Sequence, residues 1–277
     1  LGAQSPLGPA ELATLFADST FGYGARPLEG TALTELGDVE ISAKLKLFDS
    51  FGRASTSRFG AARRGVRQSV GVDVRLGTGS PEQPDDFLDL GTGSGTGAVT
   101  VRSLTDLVWD AGLWATVSVA YTKEADHVER LRVPSTPGAT LLEAWRELDA
   151  PVRPGALLDV SVTPRWQLSD YLAVGTGWRW RQRAADVHSI AAIVPDPTGA
   201  SVPLDATALD ATTAMSVQHF AWHATFSTLA ARQRGRDGLA FEVSYSHEQA
   251  FVSSEGIVPR TWVDRLQVRY YTRLFGR

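Results

Sequence analysis

The chain has no cysteine and a single methionine in 277 residues. Without thiols, disulfide bridges, thiol catalysis and cysteine metal sites are all excluded. Also missing is any run approaching about 18 consecutive apolar residues, so no helix is expected to span a bilayer. Strand-based spans are not excluded by that absence, because their hydropathy signal is weak and distributed. Nor is there a surplus of positive charge: 27 Lys and Arg stand against 31 Asp and Glu, a net charge of −4. Phosphate recognition draws on a basic footprint, so nucleic acid is not an expected partner.

What the chain does have is 43% hydrophobic residues, enough for a full-sized folded domain, and a repeated alternation of apolar and polar residues. From Asp38 to Leu47 the odd positions read Val39, Ile41, Ala43, Leu45 and Leu47, while the even ones read Asp38, Glu40, Ser42, Lys44 and Lys46. Successive side chains on a strand point to opposite faces, so one face of this segment is apolar and the other charged. Segments of about ten such residues match a tilted strand crossing the hydrocarbon core.

The same period recurs over residues 65–76, 96–109, 112–122, 156–168, 171–183, 215–230, 239–248 and 262–274. Pro164 is expected to form a bulge within its strand. Connections alternate in length. Tight turns are expected at Asp110-Ala111, Ser169-Asp170 and the Arg232 to Asp237 link, and long polar segments fill 77–95, 123–155, 184–214 and 250–261. The expectation is therefore a single all-β domain, a closed antiparallel up-and-down transmembrane β-barrel with short periplasmic turns and long extracellular loops. An even strand count requires a further strand within Leu12 to Arg26, giving about ten strands, or twelve if 184–214 pairs with itself as a hairpin. Residues 1–11 are expected to be a flexible N-terminal segment. Leu1-Gly2-Ala3 before Gln4 fits the small-residue tail of a processed secretory leader as well as an ordinary terminus. Residues 139–148, with Leu141, Leu142, Trp145 and Leu148 at helical spacing, suggest a short helix in an outer loop.

Trp109 with Trp114, and Trp166 with Tyr171, bracket tight turns, where an aromatic girdle at a membrane interface would sit. A soluble β-sandwich also accommodates these aromatics, with the charged faces in water.

Two stretches, GDVEISAKLKLF (37–48) and RLGTGSPEQPDDFLDLGTGSGTGAVTV (75–101), resemble the family named for a meta-pathway of phenol degradation, whose members are similar to FadL-type outer-membrane channels for hydrophobic compounds. The resemblance is carried by Gly37-Asp38, Lys44, Gly77-Thr78-Gly79 and Leu90-Gly91-Thr92-Gly93-Ser94. Gly77 stands where the family pattern usually has proline. In strand order the resemblance runs from about Gly37 to Phe275. It implies an outer-membrane barrel that admits small hydrophobic or aromatic compounds. Tyr271 to Phe275 comes close to the aromatic-ended last strand that barrel-assembly machinery reads, although Gly276 and Arg277 follow it.

Catalysis is not expected. His219 and His223 share a strand face but lie about 13 Å apart, too far to ligate one metal. A composite of His219 with Asp106 or Glu242 and a serine is weaker than the reading of these groups as polar lining. GTGSGTG lacks the lysine of a phosphate loop and leads into a strand. No cofactor or metal is expected.

The lining candidates are Lys44, Arg67, Asp73, Arg75, Arg102, Asp106, Arg165, Arg179, Arg181, Arg183, His219, His223, Glu242, Arg265 and Arg269. By pairing with one another they either leave a narrow conduit or plug the interior. Two functions follow: a channel for small hydrophobic compounds, or a non-transporting barrel that displays its loops for surface assembly or adhesion. The expected surroundings are outer-membrane lipid and lipopolysaccharide, with a small hydrophobic ligand and, through the loops, protein partners.

Overall fold

The structure, a computed structural model, describes residues 8–25, 34–50, 64–82, 91–109, 112–134, 139, 142–233, 235–236, 238–256 and 261–271. In chain order the regular elements are α1 (Pro9–Ala17), β1 (Val39–Asp49), β2 (Gly65–Leu76), β3 (Ala98–Trp109), β4 (Leu113–Glu124), β5 (His127–Arg132), β6 (Glu147–Arg153), β7 (Leu157–Gln167), β8 (Leu172–Arg183), β9 (Val187–His188), β10 (Ala191–Pro195), β11 (Ser201–Asp205), β12 (Met215–Ser227), α2 (Leu229–Gln233), β13 (Phe241–Ser254) and β14 (Trp262–Tyr270).

Nine strands, all forecast by the period-2 pattern, make one antiparallel sheet in the order β1-β2-β3-β4-β7-β8-β12-β13-β14. Each long strand pairs with the next long strand in sequence, as in an up-and-down meander. Because pairing sets like faces side by side, the register joins the apolar positions into one face: Ile41 sits beside Val74, Val74 beside Val99, Val117 beside Val162, Val162 beside Trp178, and Trp178 beside Phe220. This face is left open: Ile41 is 61% exposed, Leu45 63%, Leu266 72% and Val268 68%. Among the described residues no second sheet packs on it, so the stacked arrangement of a sandwich is not formed. The outer edges of β1 and β14 have no strand partner among the described residues, so the sheet is not closed in this structure.

Two irregularities mark the ladder. Leu47 is the extra residue of a bulge between Lys46 and Phe48, and Phe251 is bulged where β13 meets β12. The bulge expected at Pro164 is absent. Val162 lies opposite Trp178 and Arg165 opposite Gly175, an equal count on both strands, so the ladder to β8 is merely interrupted where proline has no N–H to give.

The long connections sit at one end of the sheet and build a head of their own. β5, β6 and β9 form a three-stranded sheet, and β10 and β11 form a hairpin. Residues 184–214 thus do pair with themselves, Ala191 opposite Asp205, but the hairpin stays outside the nine-stranded sheet. The best-buried apolar cluster of the molecule lies here: Val133, Ala150, Leu204 and Ala206, flanked by Trp145, Leu148 and Ile190. Instead of a helix over 139–148, the described residues contain a short 3-10 turn, Ala144–Arg146, running directly into β6.

The expected extra strand over Leu12 to Arg26 is not formed either. α1 occupies its first part, opened by Pro9 at the first turn and by Glu11, whose carboxylate accepts from the Gly8 N–H at 2.8 Å. The helix also reaches into residues 9–11, which were expected to be flexible. The following turn docks on the head: the Ala144 N–H donates to Gly22 O at 3.0 Å and Arg132 Nη1 donates to Tyr23 O at 2.7 Å. At the opposite end of the sheet the expectation of short links holds for only two of the four: β3–β4 and β7–β8 are joined by brief turns, whereas residues 50–64, most of them outside the described residues, join β1 to β2 and residues 228–240 join β12 to β13. The 110–111 turn lies outside the described residues, Ser169 Oγ caps its turn by accepting from the N–H groups of Tyr171 and Leu172, and in place of a tight link over 232–237 the connection from β12 to β13 runs over 228–240 and contains the short helix α2.

Candidate functional site

The second face of the nine-stranded sheet gathers nearly every charged or imidazole side chain that the nine long strands carry. Three glycines, two on β8 (Gly175, Gly177) and one on β2 (Gly71), sit on it among long charged neighbours. A Cβ at Gly175 would run into the His223 ring and Pro164 O, so glycine there makes room for the imidazole.

At the head end, Arg75 Nη2 donates to Glu124 Oε1 at 2.8 Å and Arg75 Nε lies 3.8 Å from Asp38 Oδ2. Arg183 Nη2 reaches Asp186 Oδ1 at 3.0 Å and Glu124 Oε2 at 3.5 Å. Midway along the strands, Arg102 pairs with Asp73 at 3.0 Å, and Asp159 serves two cations: Arg179, whose Nε donates at 2.9 Å, and Arg181, 3.5 Å away. Glu248 lies between His219 at 3.4 Å and Arg265 at 3.8 Å. Nearer the short-turn end, Asp49 lies against Lys46 and Arg67, Thr116 Oγ1 donates to Asp106 at 2.8 Å, and Arg269 Nη1 donates to the buried carboxylate of Glu242 at 2.9 Å.

Every lining candidate read from the sequence falls on this face. Arg165 stands beside Gly175 and Trp114, His223 beside Gly175, and Lys44 beside Gly71. The pairs link strands no more than two apart, so they lie along the sheet. Outside water, a carboxylate shared by two guanidiniums offsets its own desolvation only through such close bonds.

The aromatic residues divide. Trp109 and Trp166 lie on the apolar face in one row across β3, β4 and β7, and Tyr171 stacks on Phe226 at 5.9 Å with Arg236 Nη1 donating to its hydroxyl at 3.0 Å. Trp114 does not join them. It sits one residue off that row, on the charged face between Val108 and Arg165, where its Nε1 donates to Thr116 Oγ1 at 3.2 Å. Flanking a turn does not decide which face a residue takes; parity along the strand does.

Two clusters were not picked out from the sequence as sites. The first is a knot at the start of β1. The Asp38 carboxylate accepts from the N–H of Ser94 at 2.8 Å, the N–H of Gly79 at 2.9 Å and the Ser94 hydroxyl at 2.9 Å, and these bonds hold its pKa below the usual carboxylate range, the Ser94 amide contributing most. Thr78 Oγ1 donates to Gly37 O at 2.8 Å and accepts from the Val39 N–H at 3.0 Å. A Cβ at Gly93 would stand 2.5 Å from Asp38 Oδ1, so glycine is required for the approach. The motif stretches behind the family resemblance thus converge on one carboxylate; Leu90 lies outside the described residues.

The second cluster is on the apolar face, where Asp264 of β14 accepts from the Tyr245 hydroxyl at 2.6 Å and faces His247 Nδ1 at 2.9 Å, beside Trp222 and Trp262. Its sequence signal was Asp264 itself, the one charge in the row Trp262, Leu266, Val268, Tyr270. Among the described residues no group of His, Asp and Glu is arranged to hold a metal ion, and no helix is long and apolar enough to cross a membrane.

No protein-family model matches the chain, and no curated protein matches it.

Proposed function

We propose that this chain is the wall of an outer-membrane β-barrel, its apolar face against lipid and its charged face lining a narrow interior through which small hydrophobic or aromatic compounds pass. The observation that carries this reading is the division of nine meandering strands into an open, mainly apolar face and an ion-paired one. A water-soluble sheet buries its apolar face; a barrel in lipid turns it outward. The connections at one end that build a head, β5, β6 and β9 with the β10–β11 hairpin, fit the long outer loops of the same architecture. The flat course of the pairs along the wall supports lining over plugging. The class of compound rests on the resemblance of the Gly37-Asp38 and Gly91-Thr92-Gly93-Ser94 stretches to the phenol-degradation meta-pathway family.

The test is reconstitution of the full chain into phospholipid vesicles. The expected result is protein that stays with the vesicles through a urea wash and admits a small aromatic such as phenol faster than empty vesicles do. Protein that is monodisperse in detergent-free buffer overturns the membrane reading. Stable insertion without permeation of any small aromatic or fatty acid favours a second reading, a plugged barrel that displays its head for surface assembly, which the head's own apolar core supports.

A further inference from the structure

We propose that the apolar face of β12, β13 and β14 holds a binding site for small aromatic compounds that carry a hydroxyl group, the His247 imidazole meeting the hydroxyl and Trp222 and Trp262 meeting the ring. That this face is the lipid side rests on the barrel reading; the chemistry of the site does not. His247 lies directly opposite Trp222 on one neighbouring strand and Asp264 on the other. Asp264 Oδ1 accepts from the Tyr245 hydroxyl at 2.6 Å and lies 2.9 Å from His247 Nδ1. An ionised carboxylate only accepts, so Nδ1 is the donor and the orientation of the ring is set. Nε2, the other ring nitrogen, makes no hydrogen bond among the described residues, and the side chain is 26% exposed.

A packing role does not account for Tyr245, His247 and Asp264. The row of β14 that holds Asp264 otherwise reads Trp262, Leu266, Val268 and Tyr270, and an ionised group among such neighbours is unfavourable where lipid is the solvent. Apolar side chains in the three places meet lipid without that cost. Catalysis does not account for them either. The same-face positions around His247 are Trp222, Tyr245, Gln249, Trp262, Asp264 and Leu266, none of them serine, threonine, cysteine or lysine, so Nε2 has no nucleophile beside it to activate. One imidazole and one carboxylate are too few to hold a metal ion. Recognition remains. Trp222 lies tilted with its ring centroid 6.2 Å from that of His247, and Trp262 is stacked at 6.5 Å, so the imidazole is flanked by two exposed indoles. Planar rings gain dispersion and quadrupole attraction against indole. Nε2 accepts a hydrogen bond when the imidazole is neutral and donates one when it is charged. A hydroxyl serves both states, an ether or ketone only the charged one, and a methyl group neither. The ligand class is therefore a planar aromatic bearing a hydroxyl.

Five histidines in the chain make a readout at the site itself practical. In the full chain, carried in phospholipid nanodiscs with its histidine rings labelled with nitrogen-15, the His247 signals are assigned by their loss in His247→Gln. Phenol is expected to shift them saturably, and toluene, the same shape without the hydroxyl, to need about tenfold more compound in the lipid for an equal shift. Trp262→Leu is expected to weaken the phenol response about fivefold. An equal response to phenol and toluene overturns the proposal, as does a phenol shift at His219 or His223 that leaves His247 unmoved, or an undiminished response in Trp262→Leu. Phenol that enters vesicles while the His247 signals stay in place refutes this site alone. A saturable His247 shift without phenol entry refutes the channel and leaves the site.

Discussion

At the scale of single residues, the most consequential side chain is Asp38, whose carboxylate, 12% exposed, ties the loop after β2 to the start of β1. Its acidity is raised by the Ser94 and Gly79 amides, so the native pKa lies below the unfolded one. The stabilisation is accordingly present above the ordinary carboxylate range, about pH 4, and is lost as pH falls below it through the depressed native value. Amide exchange at Gly79 and Ser94, corrected for intrinsic rates, is expected to stay slow down to about pH 4 and to accelerate below it. Asp38→Asn is expected to give fast exchange at both amides already at neutral pH, because the neutral side chain has one carbonyl oxygen where the carboxylate has two charged ones. Unchanged exchange in that variant would show that the loop is held by its glycines instead. None of this is legible from local sequence. Asp38 lies 41 residues from Gly79 and 56 from Ser94, and only folding brings the separate motif stretches onto one carboxylate.

At the scale of elements, the long strands were readable because a period of two leaves a direct trace in sequence, and the face assigned to each lining residue followed from parity alone. The segments with mixed or short patterns were not. Phe16, Phe21 and Tyr23 drew the N-terminal region towards a strand reading, although Pro9, Glu11 and the spacing of Leu12, Leu15 and Phe16 mark a helix start and an apolar stripe. Trp145 and Leu148 gave a helical spacing that the β5 pairing overrode, since Leu148 gains more by lying opposite Leu131 in the head core. That core makes the head an element with its own stability. Leu204, 2% exposed, packs in it, so Leu204→Ala is expected to cost about 2–5 kcal/mol there. Limited proteolysis checks the expectation: cleavage should appear in the head segments 125–156 and 184–214 while the long strands stay protected. Simultaneous loss of strand protection would mean that head and wall unfold as one.

At the scale of the whole molecule, a general rule about barrels led to an even strand number, whereas nine long strands stand among the described residues, the segment meant for the tenth turning back onto the head. The rule concerns how a sheet closes, which is a long-range property that no local pattern records. The docking of Gly22 and Tyr23 on the head has a corollary for sidedness. On the proposed barrel reading, an odd number of crossings puts α1 on the head side of the bilayer and the far end of β14 on the other. An epitope inserted ahead of α1 should stain intact cells together with one placed in the Asp196 to Ala200 hairpin turn, whereas an epitope appended after β14 should need permeabilised envelopes. Staining of both ends from outside would require an even number of crossings. If the odd count holds, the polypeptide is anchored by opposite ends on opposite surfaces, so a pull applied to the displayed end is resisted by the full width of the wall.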